Sequence, residues 1–279
     1  ILGGERTVAL VTMDPAAIGV MSCNPAIGGL AKGQIVREID ALSGLMPLAA
    51  DASGIQFKVL NTSKGAAVHG PRAQCDKHAY AREVQRLIAL RPEIEVIAGS
   101  VERLGVADGR IREVEIAPRQ LTGHSIHHTR GTQPRSECVL CAVSCELSPS
   151  VLSAPAVVLT TGTFMRGLMH IGAQQTPGGR FGEAPAVGIS GALHALGFEL
   201  GRLKTGTPPR LKRATIDWHA LEEQRGDDPP QPFSPLSLEP DLPVSARSFV
   251  PRRFPALPQV DCRVTSTTAA IHDLIRANL

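Results

Sequence analysis

Aromatic side chains are scarce in this sequence of 279 residues, which contains 1 Trp, 1 Tyr and 7 Phe. Proteins that bind single-stranded nucleic acid by base stacking need several aromatic platforms. No run of 18 apolar residues occurs, and the N-terminal residues show no secretory signal pattern. These absences exclude stacked-base folds such as the RRM and the cold-shock domain, and they predict a soluble, intracellular protein without a membrane span.

Charge and cysteine content exclude two further classes. Lys and Arg total 29 and Asp and Glu total 26, so the formal net charge is +3, too small to attract nucleic acid through bulk charge alone. The 6 cysteines of an intracellular-looking chain do not indicate a disulfide framework. The thiols are therefore expected to be reactive, buried or metal-bound, and any basic cluster must be found by position.

The apolar patterns predict an α/β fold. Short apolar runs at 8–12 and 156–160 are typical of buried parallel strands, and an Asp108-Gly109 turn indicates a small hairpin layered on the main sheet. Three helices are expected from apolar residues at helical spacing. Their faces are Ile35, Val36, Ile39 and Leu42, then Tyr80, Val84, Leu87 and Ile88 with Asp76 as cap, then Ile189, Leu193 and Leu196 with Gly197 as stop.

The most distinctive segment, residues 21–33, reads MSCNPAIGGLAKG and places a thiol before a glycine turn and a helix. A helix N-terminus and a nearby lysine favour the thiolate form of a cysteine, so Cys23 is a candidate nucleophile. The alternative is a small buried thiol beside a tight turn. Free N–H groups at such a turn also hold pyrophosphate, which makes Gly28, Gly29 and the adjacent Lys32 candidate cofactor contacts.

A second candidate ligand site follows the predicted strand 156–160. The strand leads directly into Thr161-Gly162-Thr163, where a residue without a side chain lets the backbone approach a ligand at the end of a strand. No G-x-G-x-x-G string lies between a strand and a helix, so the usual dinucleotide-binding fingerprint is missing from the chain.

Five basic residues cluster around the string KTGTPPR, and two readings of them stay open. The residues are Arg202, Lys204, Arg210, Lys212 and Arg213. They are candidate contacts for nucleic-acid phosphates, because Lys and Arg neutralise backbone charge. The alternative is a solvated charged face, which is the commoner role of a charge run.

The segment from 118 to 150 lacks helical or strand periodicity and reads as an insertion. It contains His124, His127, His128, Cys138, Cys141 and Cys145. A C-x2-C-x3-C spacing with upstream histidines could bind zinc, but structural zinc sites usually show two regular ligand pairs. No metal site is therefore assigned, and the other reading is a variable loop with incidental thiols.

Several long strings resemble one known family. They are MSCNPAIGGLAKGQIVREIDALSGLM, GIQFKVLNTSKG, PRAQCDK, LTTGTF, GGRFGEAPAVGIS and GRLKTGTPPR. In this order they resemble the MnmG (GidA) family, the FAD-dependent tRNA uridine 5-carboxymethylaminomethyl modification enzymes. The similarity runs from about residue 8 to residue 279, interrupted by the insertion.

The resemblance implies an α/β fold with a Rossmann-like FAD-binding core, a mixed β layer and a second, inserted α/β domain. The domains expected are 1–117 as the first part of the FAD-binding domain, 118–150 as the His/Cys-rich insertion, 151–200 as its continuation, and 201–279 as an incomplete substrate or nucleotide domain. Because the glycine fingerprint is absent, the chain is expected to be an internal fragment, truncated at both ends and inactive alone.

The function implied by the resemblance is addition of an aminomethyl-type group to C5 of the wobble uridine of tRNA. FAD is the flavin, NADH reduces it, methylenetetrahydrofolate donates the one-carbon unit, a GTPase of the MnmE type is the partner, and the full-length protein is a homodimer. The bacterial cytoplasm is the expected compartment, with the mitochondrion as the alternative.

Individual positions also carry over from the family. Cys23 matches its proposed nucleophile near the flavin, which suits uracil because C5 reacts poorly until C6 is attacked. Val101 matches an FAD contact, and Pro177 and Gly178 lie in a second FAD loop, where Pro177 has no N–H to donate. The alternatives are a folate- and FAD-dependent tRNA uracil methyltransferase and a non-catalytic module that binds tRNA or a partner.

Overall fold

A computed structural model of the chain describes residues 8–118 and 149–278. The strands are β1 Val8–Thr12, β2 Ala26–Gly28, β3 Gly54–Leu60, β4 Gly70–Cys75, β5 Ile94–Ala107, β6 Arg110–Pro118, β7 Ser150–Ser153, β8 Leu168–Ile171, β9 Gln174–Pro177, β10 Glu222–Gln224 and β11 Cys262–Val264. The helices are α1 Lys32–Ala41, α2 Leu45–Ser53, α3 Lys77–Ala89, α4 Gly188–Ala195, α5 Val244–Arg247 and α6 Ala269–Arg276.

The described chain divides into two compact units. Unit 1 comprises residues 8–22, 81–118 and 149–206, and unit 2 comprises residues 23–80 and 207–278. This division differs from the expected domains, because residues 23–80 group with the C-terminal segment and not with the first part of the FAD-binding domain. The two segments of unit 2 are held together by hydrogen bonds between residues 168 to 205 positions apart in the sequence. The spacing of apolar residues within each segment does not predict such long-range pairing.

Unit 1 is built on a mixed sheet with the strand order β1-β5-β6-β7. β1 runs parallel to β5, whereas the pairs β5–β6 and β6–β7 are antiparallel. The hairpin turn at Asp108 and Gly109 is confirmed, with φ of 54° and 70° at the two residues, as a two-residue turn of this hand requires. The hairpin is not a separate layer, however. The prediction was wrong because β5 is one strand of 14 residues that pairs with β1 at one end and with β6 at the other.

The predicted buried strand at 156–160 is wrong. Val158 is 85% exposed and Leu159 is 39% exposed, and the segment pairs with none of the described strands. The strand in this region is β7, which ends before Pro155 and pairs with β6. An apolar run has strand composition in any setting, but it is buried only where neighbouring strands flank it on both sides.

Unit 2 contains an antiparallel sheet in the order β2-β4-β3, with α1 and α2 beside it. The apolar face predicted for α1 is only partly correct: Val36 is buried, whereas Ile35 and Leu42 are 54% and 67% exposed. Helical spacing identifies a common face but does not tell how much of it another element covers. Gly44 directly precedes α2, and its N–H donates to the Ile39 carbonyl of α1 at 2.8 Å.

The glycine turn that joins β2 to α1 packs closely against β4. At Gly28, where φ is +92°, an added Cβ would lie 2.1 Å from the Pro71 carbonyl oxygen; at Gly33 the corresponding distance is 2.7 Å. At Gly29, with φ of +95°, no atom lies within 4 Å of that position. Gly28 is therefore required by both conformation and space, and Gly29 by conformation alone.

This contrast predicts different costs for two adjacent alanines. Gly28→Ala is expected to lower the free energy of unfolding by about 1–3 kcal/mol more than Gly29→Ala, because only the first adds overpacking to the strain of a positive φ. Urea unfolding followed by the fluorescence of Trp218, which lies in the same unit, measures the difference. Equal losses in the two variants would show that the contact with Pro71 relaxes at no cost.

A buried carboxylate joins the two segments of unit 2. Asp51, on α2, is 0% exposed and accepts hydrogen bonds from the Phe233 N–H at 2.7 Å, the Ser234 N–H at 2.9 Å and the Ser237 hydroxyl at 2.6 Å. Arg37 donates to the Phe233 carbonyl at 2.5 Å. Burial raises the pKa of Asp51 to about 6, although the three hydrogen bonds and Arg37 oppose the shift. Residues 233–237, in the proline-rich stretch 227–258, are thus anchored in the core of unit 2.

The helix boundaries follow local signals. Asp76 caps α3 by accepting from the N–H groups of His78 and Ala79, and Gly197, with φ of +86°, follows the end of α4, both as predicted. Thr268 caps α6. Within residues 8–118 and 149–278, no helix is both long enough and apolar enough to cross a membrane.

Candidate functional site

Cys23 is the first residue of unit 2 and contacts two residues of the string KTGTPPR. The side chain is half-buried, and Sγ lies 3.9 Å from the Thr207 hydroxyl oxygen. The Arg210 guanidinium donates a hydrogen bond to the Cys23 carbonyl oxygen. Cys23 is therefore not a thiol buried in an apolar interior, because the Thr207 hydroxyl and the Arg210 guanidinium of the string KTGTPPR contact it.

The other two described thiols are placed differently. Cys75, on β4, is buried, and burial raises its pKa to about 12, so this thiol remains protonated and unreactive at neutral pH. Cys262, on β11, is half-buried and its thiol donates to the Gln56 side-chain oxygen at 3.1 Å. All three of these described cysteines are free.

The glycine turn uses its backbone groups for packing. The Gly29 N–H donates to the Pro71 carbonyl at 2.8 Å, and the Gly33 N–H donates to the Gly29 carbonyl at 2.7 Å. The Lys32 ammonium donates to the Ala26 carbonyl at 3.2 Å. A phosphate that bound to the Gly29 or Gly33 N–H or to the Lys32 ammonium would have to displace these partners. A cofactor contact at Gly28, Gly29 and Lys32 remains a prediction without support from this geometry.

The second candidate ligand site, in unit 1, brings two predicted segments together. The Thr163 hydroxyl donates to the Gly179 carbonyl at 2.6 Å, and the Gly178 N–H donates to the Gly167 carbonyl at 2.9 Å. The turn containing Thr161, Gly162 and Thr163 thus lies against the loop that contains Pro177 and Gly178. At Gly162, where φ is +56°, no atom lies within 4 Å of an added Cβ. The backbone there is open to a ligand, which fits the predicted cofactor contact.

Val101 lies on the sheet of unit 1, opposite Ile116 and at an irregularity in the pairing of β5 with β6. The neighbouring Glu102 approaches the start of α4 so closely that a Cβ added to Gly188 would lie 1.8 Å from its carboxylate oxygen. Val101 is therefore beside the N-terminus of α4. Pro177 is exposed on β9, opposite Leu168, and has no N–H to offer a ligand.

The five predicted nucleic-acid contacts are all exposed, on a segment from 198 to 212 without helix or strand and on the residue that follows it. Arg202 and Lys204 belong to unit 1, whereas Arg210, Lys212 and Arg213 belong to unit 2. Arg202 donates to the Arg166 carbonyl at 3.4 Å, and Arg210 reaches Cys23. Exposure is compatible with phosphate contact and with the solvated-face alternative alike.

One polar cluster in unit 1 was missed by the sequence analysis. Arg180 contacts both carboxylate oxygens of Glu183, at 2.5 and 2.8 Å, donates to the Ser22 hydroxyl at 3.1 Å, and lies 5.6 Å above the centre of the Phe164 ring. It therefore fixes the residue that directly precedes Cys23. The Arg–Glu spacing of three residues was the available signal, but nothing in the sequence connects this pair to Ser22.

The His/Cys-rich insertion lies outside the described residues, so its candidate zinc ligands have no structural test. Within the described ranges, no group of three or more His, Cys, Asp or Glu side chains is arranged to hold a metal ion. The groups that contact one another around Cys23 are its own thiol and carbonyl, the Thr207 hydroxyl and the Arg210 guanidinium.

Comparison with known proteins gives a consistent match over nearly the whole chain. Residues 4–279 match the model of the family "Glucose inhibited division protein A". The chain is 46% identical over 271 residues to a protein of Granulibacter bethesdensis and 45% identical over 281 residues to one of Rhodopirellula baltica. Both relatives are named tRNA uridine 5-carboxymethylaminomethyl modification enzyme MnmG.

The structural comparison agrees. The crystal structure of Aquifex aeolicus GidA, form II, superposes with a TM-score of 0.74 at 39% identity, and the match covers 97% of this chain and 39% of that one. The matches to the Granulibacter and Rhodopirellula proteins cover 97% and 99% of this chain but only 36% and 37% of theirs. The chain therefore spans little more than a third of the length of the relatives that it matches.

Proposed function

This chain belongs to the family of glucose inhibited division protein A, and from that membership we propose that it forms part of a flavin-dependent enzyme that modifies C5 of the wobble uridine of tRNA. The observation that carries the proposal is the match of residues 4–279 to this family, together with 46% identity to a relative named for that modification. The half-buried thiol of Cys23, in contact with the string KTGTPPR, gives the proposed chemistry a nucleophile.

Cys23 is proposed to act as a covalent catalyst on the base. Its thiolate adds to C6 of uracil, an S–C6 bond forms, and the electron pair of the C5=C6 double bond moves towards C4, so that C5 becomes nucleophilic. C5 then adds to the electrophilic methylene carbon of the folate donor, and the electron pair of the donor's C=N bond returns to its nitrogen. Loss of the proton from C5 and departure of the thiolate restore the double bond and the free cysteine. The half-buried sulfur fits this role, whereas the buried thiol of Cys75 does not.

We assign the flavin to residues of unit 1. The open backbone at Gly162, the adjacent Thr161 and Thr163, Val101, and the loop of Pro177 and Gly178 are the groups proposed to hold FAD. When bound, FAD supplies the redox chemistry of the one-carbon transfer, with NADH as reductant and methylenetetrahydrofolate as donor. The work of the chain's own residues is to bind and orient these molecules and to exclude water from the reacting base.

The tRNA is proposed to contact the exposed basic residues, whose charges suit phosphate oxygens: Arg202, Lys204, Arg210, Lys212 and Arg213. A GTPase partner of the MnmE type, assembly of the full-length protein as a homodimer, and action in the bacterial cytoplasm complete the proposal.

Nucleoside analysis of tRNA tests the proposal. Cells that lack the gene encoding this chain are expected to lose the carboxymethylaminomethyl-type modification at the wobble uridine and to regain it when the gene is restored. Normal wobble nucleosides in the deletion strain would refute the function. Loss of 5-methyluridine at another position, with the wobble base intact, would instead identify a tRNA uracil methyltransferase. If the deletion strain lost the modification and every Cys23 variant of the gene restored it, the chain would act as a binding module and not through a cysteine nucleophile.

A further inference from the structure

The string KTGTPPR contributes two side chains to the surroundings of Cys23. Thr207 is separated from Cys23 by 184 residues in the sequence, yet its hydroxyl oxygen lies 3.9 Å from Sγ. Arg210 follows three residues later, and its guanidinium donates to the carbonyl oxygen of Cys23. Both contacts lie within unit 2. One short segment thus meets the side chain and the main chain of the same residue.

The intervening Pro208 and Pro209 give this segment a preset geometry. Proline fixes φ near −65°, and a residue before proline is restricted to extended conformations. The spacing between the Thr207 hydroxyl and the Arg210 guanidinium is therefore limited before either side chain makes a contact. A segment with a restricted backbone that carries both contacting groups is suited to hold Cys23 in one orientation.

The Thr207 hydroxyl can serve both protonation states of the sulfur. A hydroxyl accepts a hydrogen bond from a thiol, and once the thiol has lost its proton the hydroxyl can only donate. Either atom of the pair can donate, so the contact orients the sulfur whichever group carries the proton. Arg210 acts differently, because it bonds the backbone and keeps the Cys23 peptide where Thr207 reaches the sulfur.

We propose that Thr207 and Arg210 are positioning residues for the Cys23 thiol, Thr207 by a hydrogen bond to the sulfur and Arg210 by fixing the Cys23 carbonyl. The assignment rests on the proposed function of Cys23 as a nucleophile. The assignment gives Arg210 a role that Lys212 and Arg213, its neighbours in the basic cluster, do not share, because Arg210 donates a hydrogen bond to Cys23.

The test is the rate at which iodoacetamide alkylates Cys23 in the purified chain. In this reaction the thiolate forms an S–C bond and iodide departs, and no tRNA or cofactor is needed. Cleavage after Lys and Arg places Cys23 on the peptide 7–32 and Cys75 on the peptide 73–77, so mass spectrometry measures each thiol separately. Alkylation of Cys75, which is buried in the native chain, reports any variant that has unfolded.

Paired variants separate the hydroxyl from the shape of the side chain. Thr207→Val keeps the shape and is expected to slow alkylation of Cys23 about three- to tenfold, the effect of one hydrogen bond, while Thr207→Ser stays within about twofold of the wild type. Thr205→Val, two residues earlier in the same segment, is the matched control and is expected to change nothing. Equal rates for Thr207→Val and the wild type, or an equal loss in Thr207→Ser, overturn the role of the hydroxyl.

Arg210 is tested in the same reaction. Arg210→Gln is expected to slow alkylation to a similar degree, and Arg210→Lys, which keeps a charged donor, is expected to recover at least half of the lost rate. An unchanged rate in Arg210→Gln, or no recovery in Arg210→Lys, overturns the role of Arg210. The alkylation reaction contains no tRNA, so its outcome does not bear on the proposed modification of the wobble uridine. Conversely, a nucleoside analysis that refuted that modification would not change the measured alkylation rates.

Discussion

Replacement of Asp51 by alanine is expected to lower the free energy of unfolding of unit 2 by about 3–5 kcal/mol, the cost of breaking a buried charged network. The carboxylate is fully buried and accepts from two backbone N–H groups and one hydroxyl of residues 233–237. Without it, these three donors stay in the interior with no acceptor, and each unpaired buried donor costs about 1–3 kcal/mol. Urea unfolding followed through Trp218, the one tryptophan of the chain, measures the loss.

The exposed Asp241 provides the control. Asp241→Ala removes a carboxylate from the same unit at the surface and is expected to change stability by no more than about 0.5 kcal/mol. A loss at Asp51 as small as that at Asp241 would show that the segment 233–237 is held by packing of Phe233 alone, with the hydrogen bonds contributing nothing.

The pH dependence of stability gives a second readout for Asp51. Its pKa is raised from 3.8 to about 6 by burial, so between these values the native state keeps a proton that the unfolded state has released. The free energy of unfolding contributed by this group therefore falls as pH rises from about 4 to about 6, by up to about 3 kcal/mol. Asp51→Asn cannot titrate and should lose this slope, whereas Asp241→Asn should keep it.

The network around Asp51 also shows which part of the fold sequence patterns could not supply. The Asp76 cap and the Asp108-Gly109 turn were predicted correctly because each depends on residues two or three positions apart. The partner of Asp51, by contrast, is 182 residues away. The sequence around an acidic residue in an apolar helix does not indicate which distant loop will donate hydrogen bonds to its carboxylate.

The same limit explains the outcome for the candidate site. Residue type and the resemblance to a known family singled out both Cys23 and the string KTGTPPR. That Thr207 and Arg210 meet Cys23 depends on how residues 23–80 join the segment after 206, which no local spacing encodes. At the glycine turn, the closeness of Pro71 gives Gly28 and Gly33 a packing role that the sequence did not indicate. The cofactor contact inferred there stays a prediction.

Replacement of Cys23 by serine is expected to reduce formation of the modified wobble uridine by at least about three orders of magnitude, since removal of a covalent nucleophile ordinarily has an effect of that size or larger. Serine is close to cysteine in size and replaces the thiol by a hydroxyl, which is not ionised at neutral pH. The experiment introduces the gene with Cys23→Ser into cells that lack it and quantifies the modified nucleoside in tRNA.

Cys75→Ala supplies the matched control, because it removes a buried thiol whose pKa of about 12 already makes it inert. This variant is expected to retain modification at close to the wild-type level, with a modest loss of stability from the small cavity. Full rescue by Cys23→Ser would remove the thiol from the mechanism while leaving the family assignment intact. If both variants failed to modify tRNA, the amount of folded protein in the cells would decide whether chemistry or stability had been lost, and Trp218 fluorescence of the purified variants measures that stability directly.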